Sequence, residues 1–173
     1  MSEPLPVAQY AANAPLHALG TAAAFLVMTV RLWAAPGREG APVWREGLIV
    51  TGIDRAASPP FDRLLRLLSS SRRALDVRGQ QCPRLGRDEA LLLECVSLLQ
   101  HEQRPQAEQI LGLWLRPAAQ RMALIAALQL SAALSGARLR IPRCASLPRS
   151  VAPLRRRAVA APEWRLAQSQ PEI

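Results

Sequence analysis

The sequence predicts an all-α protein, a small helical bundle of about six helices followed by a disordered Arg/Pro-rich C-terminal tail. Two observations lead. Alanine (30) and leucine (28) make up about a third of the 173 residues, and both stand high in helix propensity. Half of the chain is hydrophobic while aromatics supply only 4%, so the core has to be aliphatic. A third observation sets the boundary: apolar residues recur at helical spacing up to residue 136 and then stop. The length fits one domain. It divides into an irregular arm 1–13, a helical body 14–136 and a basic tail 137–173. Collagen-like, coiled-coil, disulfide-framework and wholly disordered chains are excluded by these proportions.

The arm carries Pro4 and Pro6 and little pattern. Asn13 can cap a helix and Pro15 suits its first turn, which predicts a helix from 14 to about 35, stopped by Pro36-Gly37. Leu16, Leu19, Ala23, Val27, Val30 and Ala34 form its core stripe, opposite a mixed face with His17, Thr21, Phe25, Met28 and Arg31. Pro42 opens a short helix to Ile53 containing Trp44. Ser58-Pro59-Pro60 opens the next, with Phe61, Leu64, Leu65 and Leu68 inward, fading in the run Ser69 to Arg73. Residues 74–86 are the longest irregular stretch of the body.

Asp88 and Glu89 mark another helix start, where the helix dipole favours acids, rather than an acid/base pair. Leu91, Leu92, Cys95, Leu98 and Leu99 follow as one stripe, with Cys95 read as core. A turn at His101 to Arg104 leads to the stripe Ala107, Ile110, Leu111, Trp114 and Leu115. Pro117 ends that helix and begins one from Ala118 to Ser135, closed by Gly136. Between Met122 and Leu134, 11 of 13 residues are apolar, the composition of a helix buried at the centre of a bundle.

Charge is concentrated at one end. All 22 basic residues are arginine, as the codon bias of a high-GC bacterial gene would give, and the net charge is +9. Residues 137–173 hold eight arginines against Glu163 and Glu172. Such a segment is drawn to phosphate, anionic lipid or an acidic protein face. The candidate contacts to an anion or partner are Arg138, Arg140, Arg143, Arg149, Arg155, Arg156, Arg157 and Trp164.

No catalytic motif, cofactor motif, Gly-rich phosphate loop or nucleophile elbow occurs. His17, Cys82, His101 and Cys144 lack metal-ligand spacing. A helix–turn–helix reading of 107–128 fails because its second helix is almost uncharged and cannot read base edges. Cys82 is the candidate reactive thiol: it precedes a helix start and has Arg78, Arg84 and Arg87 nearby, and both features stabilise a thiolate. Three cysteines at unrelated spacings and an N-terminus without a cationic start predict a cytoplasmic protein.

These observations predict a small, non-enzymatic interaction or adaptor protein without a cofactor. Its helical body docks a protein partner and its basic tail adds electrostatic contacts. The alternative is a nucleic-acid-associated accessory protein using the tail with Arg63, Arg66, Arg72 and Arg73. A second alternative is an inner-membrane-associated protein anchored by residues 14–35, a stretch uncharged from 11 to 30.

Overall fold

The computed structural model describes residues 10–35, 43–71 and 73–143, and these are helical as the composition predicts. Six helices follow in order: α1 (Thr21–Ala34), α2 (Val43–Val50), α3 (Ser58–Ser69), α4 (Arg87–Gln100), α5 (Arg104–Gly112) and α6 (Pro117–Gly136). Two 3-10 turns, Leu16–Ala18 and Arg55–Ala57, precede α1 and α3.

The buried centre is α4. From Asp88 to Leu99 every residue except Leu91 is buried, and α1, α5 and α6 all pack against this helix. The sequence points instead to α6, which is apolar almost all round. In the structure α6 buries Ala123, Leu124, Ala127, Leu130 and Leu134 but leaves Met122 53% and Ile125 55% exposed. The helices α3, α4 and α5 and the turn Arg55–Ala57 cover its inner sides, and the side carrying Met122 and Ile125 stays open among the described residues. The α5 stripe Ala107, Ile110, Leu111, Trp114 and Leu115 is buried as predicted, as are Phe61, Leu64, Leu65 and Leu68 of α3.

The first helix starts at Thr21, seven residues later than predicted, because its backbone groups are taken elsewhere. The Asn13 N–H donates to the Leu85 carbonyl, the Leu85 N–H to Ala14 and the Leu16 N–H to Pro83, each at 2.8 Å. A chain paired in this extended way cannot also form the first turn of a helix. Asn13 sits at φ 68°, the left-handed region that asparagine tolerates well, instead of acting as a cap. Residues 14–35 therefore form no continuous span. Among the described residues, no helix is long and apolar enough to cross a membrane.

At its far end α2 closes in a Schellman turn. The Ile53 N–H donates to Leu48, the Gly52 N–H to Ile49, and Gly52 takes φ 78°, where a side chain would be strained. The turn buries Ile53 beside Leu48 in the core and aims the chain into α3. Trp44 of α2 meets Phe61 of α3 in a tilted ring contact, with centroids 5.1 Å and planes 37° apart.

The chain does not leave the body at residue 136. Residues 137–143 fold back over α4, with Ile141 fully buried. The Gln100 side chain donates to the Leu139 carbonyl and accepts from the Ile141 N–H. Ser97 Oγ and Tyr10 OH both donate to the Pro142 carbonyl. This docking uses one buried isoleucine and backbone groups, so it leaves no periodic signal. The remainder of the expected tail, 144–173, lies outside the described residues.

Candidate functional site

Two polar assemblies stand out, and the first is buried. Arg31, predicted on the mixed face of its helix, is fully buried and paired with Glu89, both side chains at 0% exposure. All five guanidinium donors are used. Nε donates to Glu89 Oε1 (2.7 Å), and Nη2 donates to Oε2 (2.8 Å) and the Arg84 carbonyl (2.8 Å). Nη1 donates to the carbonyls of Cys82 (2.6 Å) and Gly79 (3.3 Å). Glu89 also accepts the backbone N–H of Arg78 and of Gly86.

Asp88 does the same work one residue earlier. It pairs bidentately with Arg73 and accepts the Asp76 N–H (2.7 Å) and the buried Trp114 indole N–H (2.8 Å). Burial alone would raise its pKa, but these donors and the Arg73 charge together hold it below the ordinary carboxylate value. The two acids therefore organise the irregular segment 73–86 around the start of α4. Gly86 lies so close to the Asp76 carbonyl that a Cβ there would collide with it. A charge pair with every donor filled and no exposure offers nothing to a substrate. Its role is architectural.

Cys82 lies half-buried in this segment with a free thiol. Two of the three cations expected to activate it are directed elsewhere, Arg78 to Asp76 (3.2 Å) and Arg84 to the Asn13 carbonyl (3.1 Å), while Arg87 is exposed. Cys95 is buried beneath α5, and burial, with the nearby Glu94 charge, pushes its thiol up to about 12. His17 is exposed, and His101 Nδ1 lies 2.8 Å from the Ser97 carbonyl. Among the described residues no cluster could hold a metal ion.

The second assembly faces solvent. On α3 the stripe Phe61, Leu64, Leu65 and Leu68 is buried, so 3.6-residue periodicity carries Asp62, Arg63, Arg66 and Leu67 to the outer side. On α2 the burial of Trp44 and Leu48 likewise brings Arg45 and Ile49 outward. With Arg55 from the 3-10 turn, these helices enclose an open groove of about 760 Å³. Four arginines, Arg45, Arg55, Arg63 and Arg66, line it with one carboxylate, Asp62, and with the apolar side chains of Ile49, Pro59 and Leu67.

Asp62 is the fixed point of the groove. It accepts from the Trp33 indole (2.9 Å) and from Arg66 Nε (2.6 Å). Burial would raise its pKa, but these two donors and the charges of Arg66 and Arg45 outweigh that and lower it. The Arg45 guanidinium lies over the Trp44 ring at 5.1 Å. Arg55 and Arg63 are exposed and make no ion pair among the described residues.

Two recesses extend the groove. One adjoins at Pro59 and Arg63 and reaches Gln129 and Ala132 of α6; the other adjoins at Arg45, Asp62 and Arg66 and reaches Trp33 and Ser70. The concavity thus follows α3 along its whole length, about 18 Å at 1.5 Å per residue.

No protein family, characterised protein or solved structure matches this chain.

The groove gathers Arg63 and Arg66, which the sequence marks as helix-borne, and adds Arg45 and Arg55, which it does not. Those two belong to separate elements, and they come near only because α2 and α3 both pack on the turn Arg55–Ala57 and meet at Trp44 and Phe61. Arg73 is committed to Asp88, and the side chain of Arg72 lies outside the described residues. Arg138, Arg140 and Arg143 are exposed on the returning segment, with the Arg143 charge acting on Glu94. Arg149, Arg155, Arg156, Arg157, Trp164 and Cys144 lie outside the described residues.

Proposed function

We propose that this chain is a small, non-enzymatic interaction or adaptor protein that docks a protein partner through the groove along α3. The arginines of the tail add electrostatic attraction. The observation that carries this reading is the pairing of four guanidiniums and a single carboxylate with an apolar lining on one open face. Charged rims steer association and fix register, while apolar contacts at the centre supply affinity. Three cysteines without framework spacing support a reducing, cytoplasmic setting for this encounter.

The competing reading is a nucleic-acid-associated accessory protein, favoured by the exposed Arg63 on the same face as Arg66. Affinity capture from native lysate, with and without nuclease, separates the two. The full chain is compared with an Arg55→Glu/Arg63→Glu variant whose tail is intact. Recovery of a protein that survives nuclease and is lost with the variant supports docking through the groove. Recovery that disappears with nuclease, along with high ultraviolet absorbance from nucleic acid, overturns it.

A further inference from the structure

Resting on the docking reading above, we infer that the groove along α3 receives an acidic, amphipathic peptide segment of the partner. In this arrangement carboxylates of the segment meet Arg45, Arg55 and Arg63, and an apolar side chain meets Ile49 and Leu67.

Charge decides the first half. Four guanidiniums line the groove and Asp62, the one carboxylate among them, is already engaged by Arg66 and Trp33. Arg55 and Arg63 are left as open forks, and a guanidinium fork matches a carboxylate in two parallel hydrogen bonds. The chain's own tail does not suit the site, since residues 144–173 carry five arginines against Glu163 and Glu172. A second copy, with a net charge of +9, is repelled for the same reason.

Shape and hydropathy decide the second half. Ile49 is 39% exposed, and Pro59 and Leu67 lie along the same groove, so a bare polyanion would leave apolar surface wet. A peptide with acids on one side and an aliphatic residue on another covers both. The groove follows α3 for about 18 Å, the length of about three turns of a docked helix. Nucleic acid fits less well. The Asp62 carboxylate lies in its path, and Trp44, at 5% exposure, presents little ring surface for base stacking.

The test uses the full chain and defined probes, read by fluorescence anisotropy. The main probe is a labelled peptide with leucine and glutamate at helical spacing. The comparisons are its Glu→Gln form, its Leu→Ala form, oligoglutamate, a duplex DNA and phosphatidylglycerol vesicles. Binding of the main peptide should weaken at least about tenfold in the Glu→Gln form, in the Leu→Ala form and with Arg55→Glu/Arg63→Glu protein. Arg55→Gln/Arg63→Gln protein should fall between, and both variants should keep the helical spectrum because the two side chains are exposed and unpaired. The inference is overturned if oligoglutamate binds as tightly as the amphipathic peptide, or if the variants bind like the parent. It is also overturned if the variants lose DNA or vesicles more than they lose peptide. A groove-dependent partner captured from lysate, with no peptide binding, would sink the acidic-amphipathic assignment and leave docking intact. Peptide binding with no groove-dependent partner would do the reverse.

Discussion

Replacing Glu89 with glutamine keeps the side-chain shape and removes the charge that holds Arg31. In the native protein its two oxygens accept four hydrogen bonds: two from Arg31, one from the Arg78 N–H and one from the Gly86 N–H. Glutamine offers one carbonyl oxygen, and its amide nitrogen must face donors. Two bonds are lost, and each hydrogen bond to a charged group contributes about 1.5–3 kcal/mol. A cost of about 3–5 kcal/mol follows, the range for a buried charge stripped of its partner. Urea unfolding of the full chain, followed by far-UV circular dichroism, measures it directly. The double variant Arg31→Met/Glu89→Met sharpens the test. An isolated buried pair can be replaced by apolar residues almost without loss. Here the carbonyls of Cys82 and Arg84 and the amides of Arg78 and Gly86 would lose their partners, and the Gly79 carbonyl would be left with the Cys82 N–H. The double variant should therefore remain at least about 2 kcal/mol below the parent. A loss under about 1 kcal/mol for Glu89→Gln, or full recovery in the double variant, would refute the role given to this pair.

Three further outcomes follow from the same geometry. Gly86→Ala forces a Cβ into the Asp76 carbonyl and should cost about 1–3 kcal/mol in the same unfolding assay. Ile141→Ala should cost about 2–5 kcal/mol although Ile141 lies beyond the last helix, and truncation after Gly136 should cost at least as much. The pH dependence has two limbs of opposite sign. Asp88 has a lowered folded pKa, so its contribution is present above the unfolded value of about 4 and fades as pH falls through the folded one. Burial raises Glu94, with the Arg143 charge only partly opposing, so the folded state holds that proton longer and stability falls as pH rises past the unfolded value. Asp88→Asn should flatten the acid limb and Glu94→Gln the other, as seen in thermal midpoints measured across pH.

Much of the bundle was legible because burial on helices leaves a period. The stripes at Phe61–Leu68 and Ala107–Leu115 map directly onto buried faces. The misreadings share one cause, which is polar structure specified by tertiary partners. Arg31 falls on the mixed face of its helix in the sequence, and its burial is not legible there because its acceptors, Glu89 and three loop carbonyls, lie 48 to 58 residues away in the chain. Asp88 and Glu89 were recognisable as a helix start, but their hold on residues 73–86 was not. The apolar surplus of α6 suggested the centre of the bundle, yet position in the packing put α4 there. In the groove, Arg63 and Arg66 show as an i,i+3 pair opposite the α3 stripe, while Arg45 and Arg55 join them only through the Trp44–Phe61 contact and the Gly52 turn.

The most direct test of the docking face is site-specific cross-linking in cells. A photoreactive residue is placed at Ile49, inside the groove, and separately at Gln109, on the exposed side of α5. The account predicts a discrete, nuclease-resistant protein adduct from position 49 that is absent from position 109 and is lost with Arg55→Glu/Arg63→Glu. Equal adducts from both positions, or an adduct at 49 that nuclease removes, would contradict it.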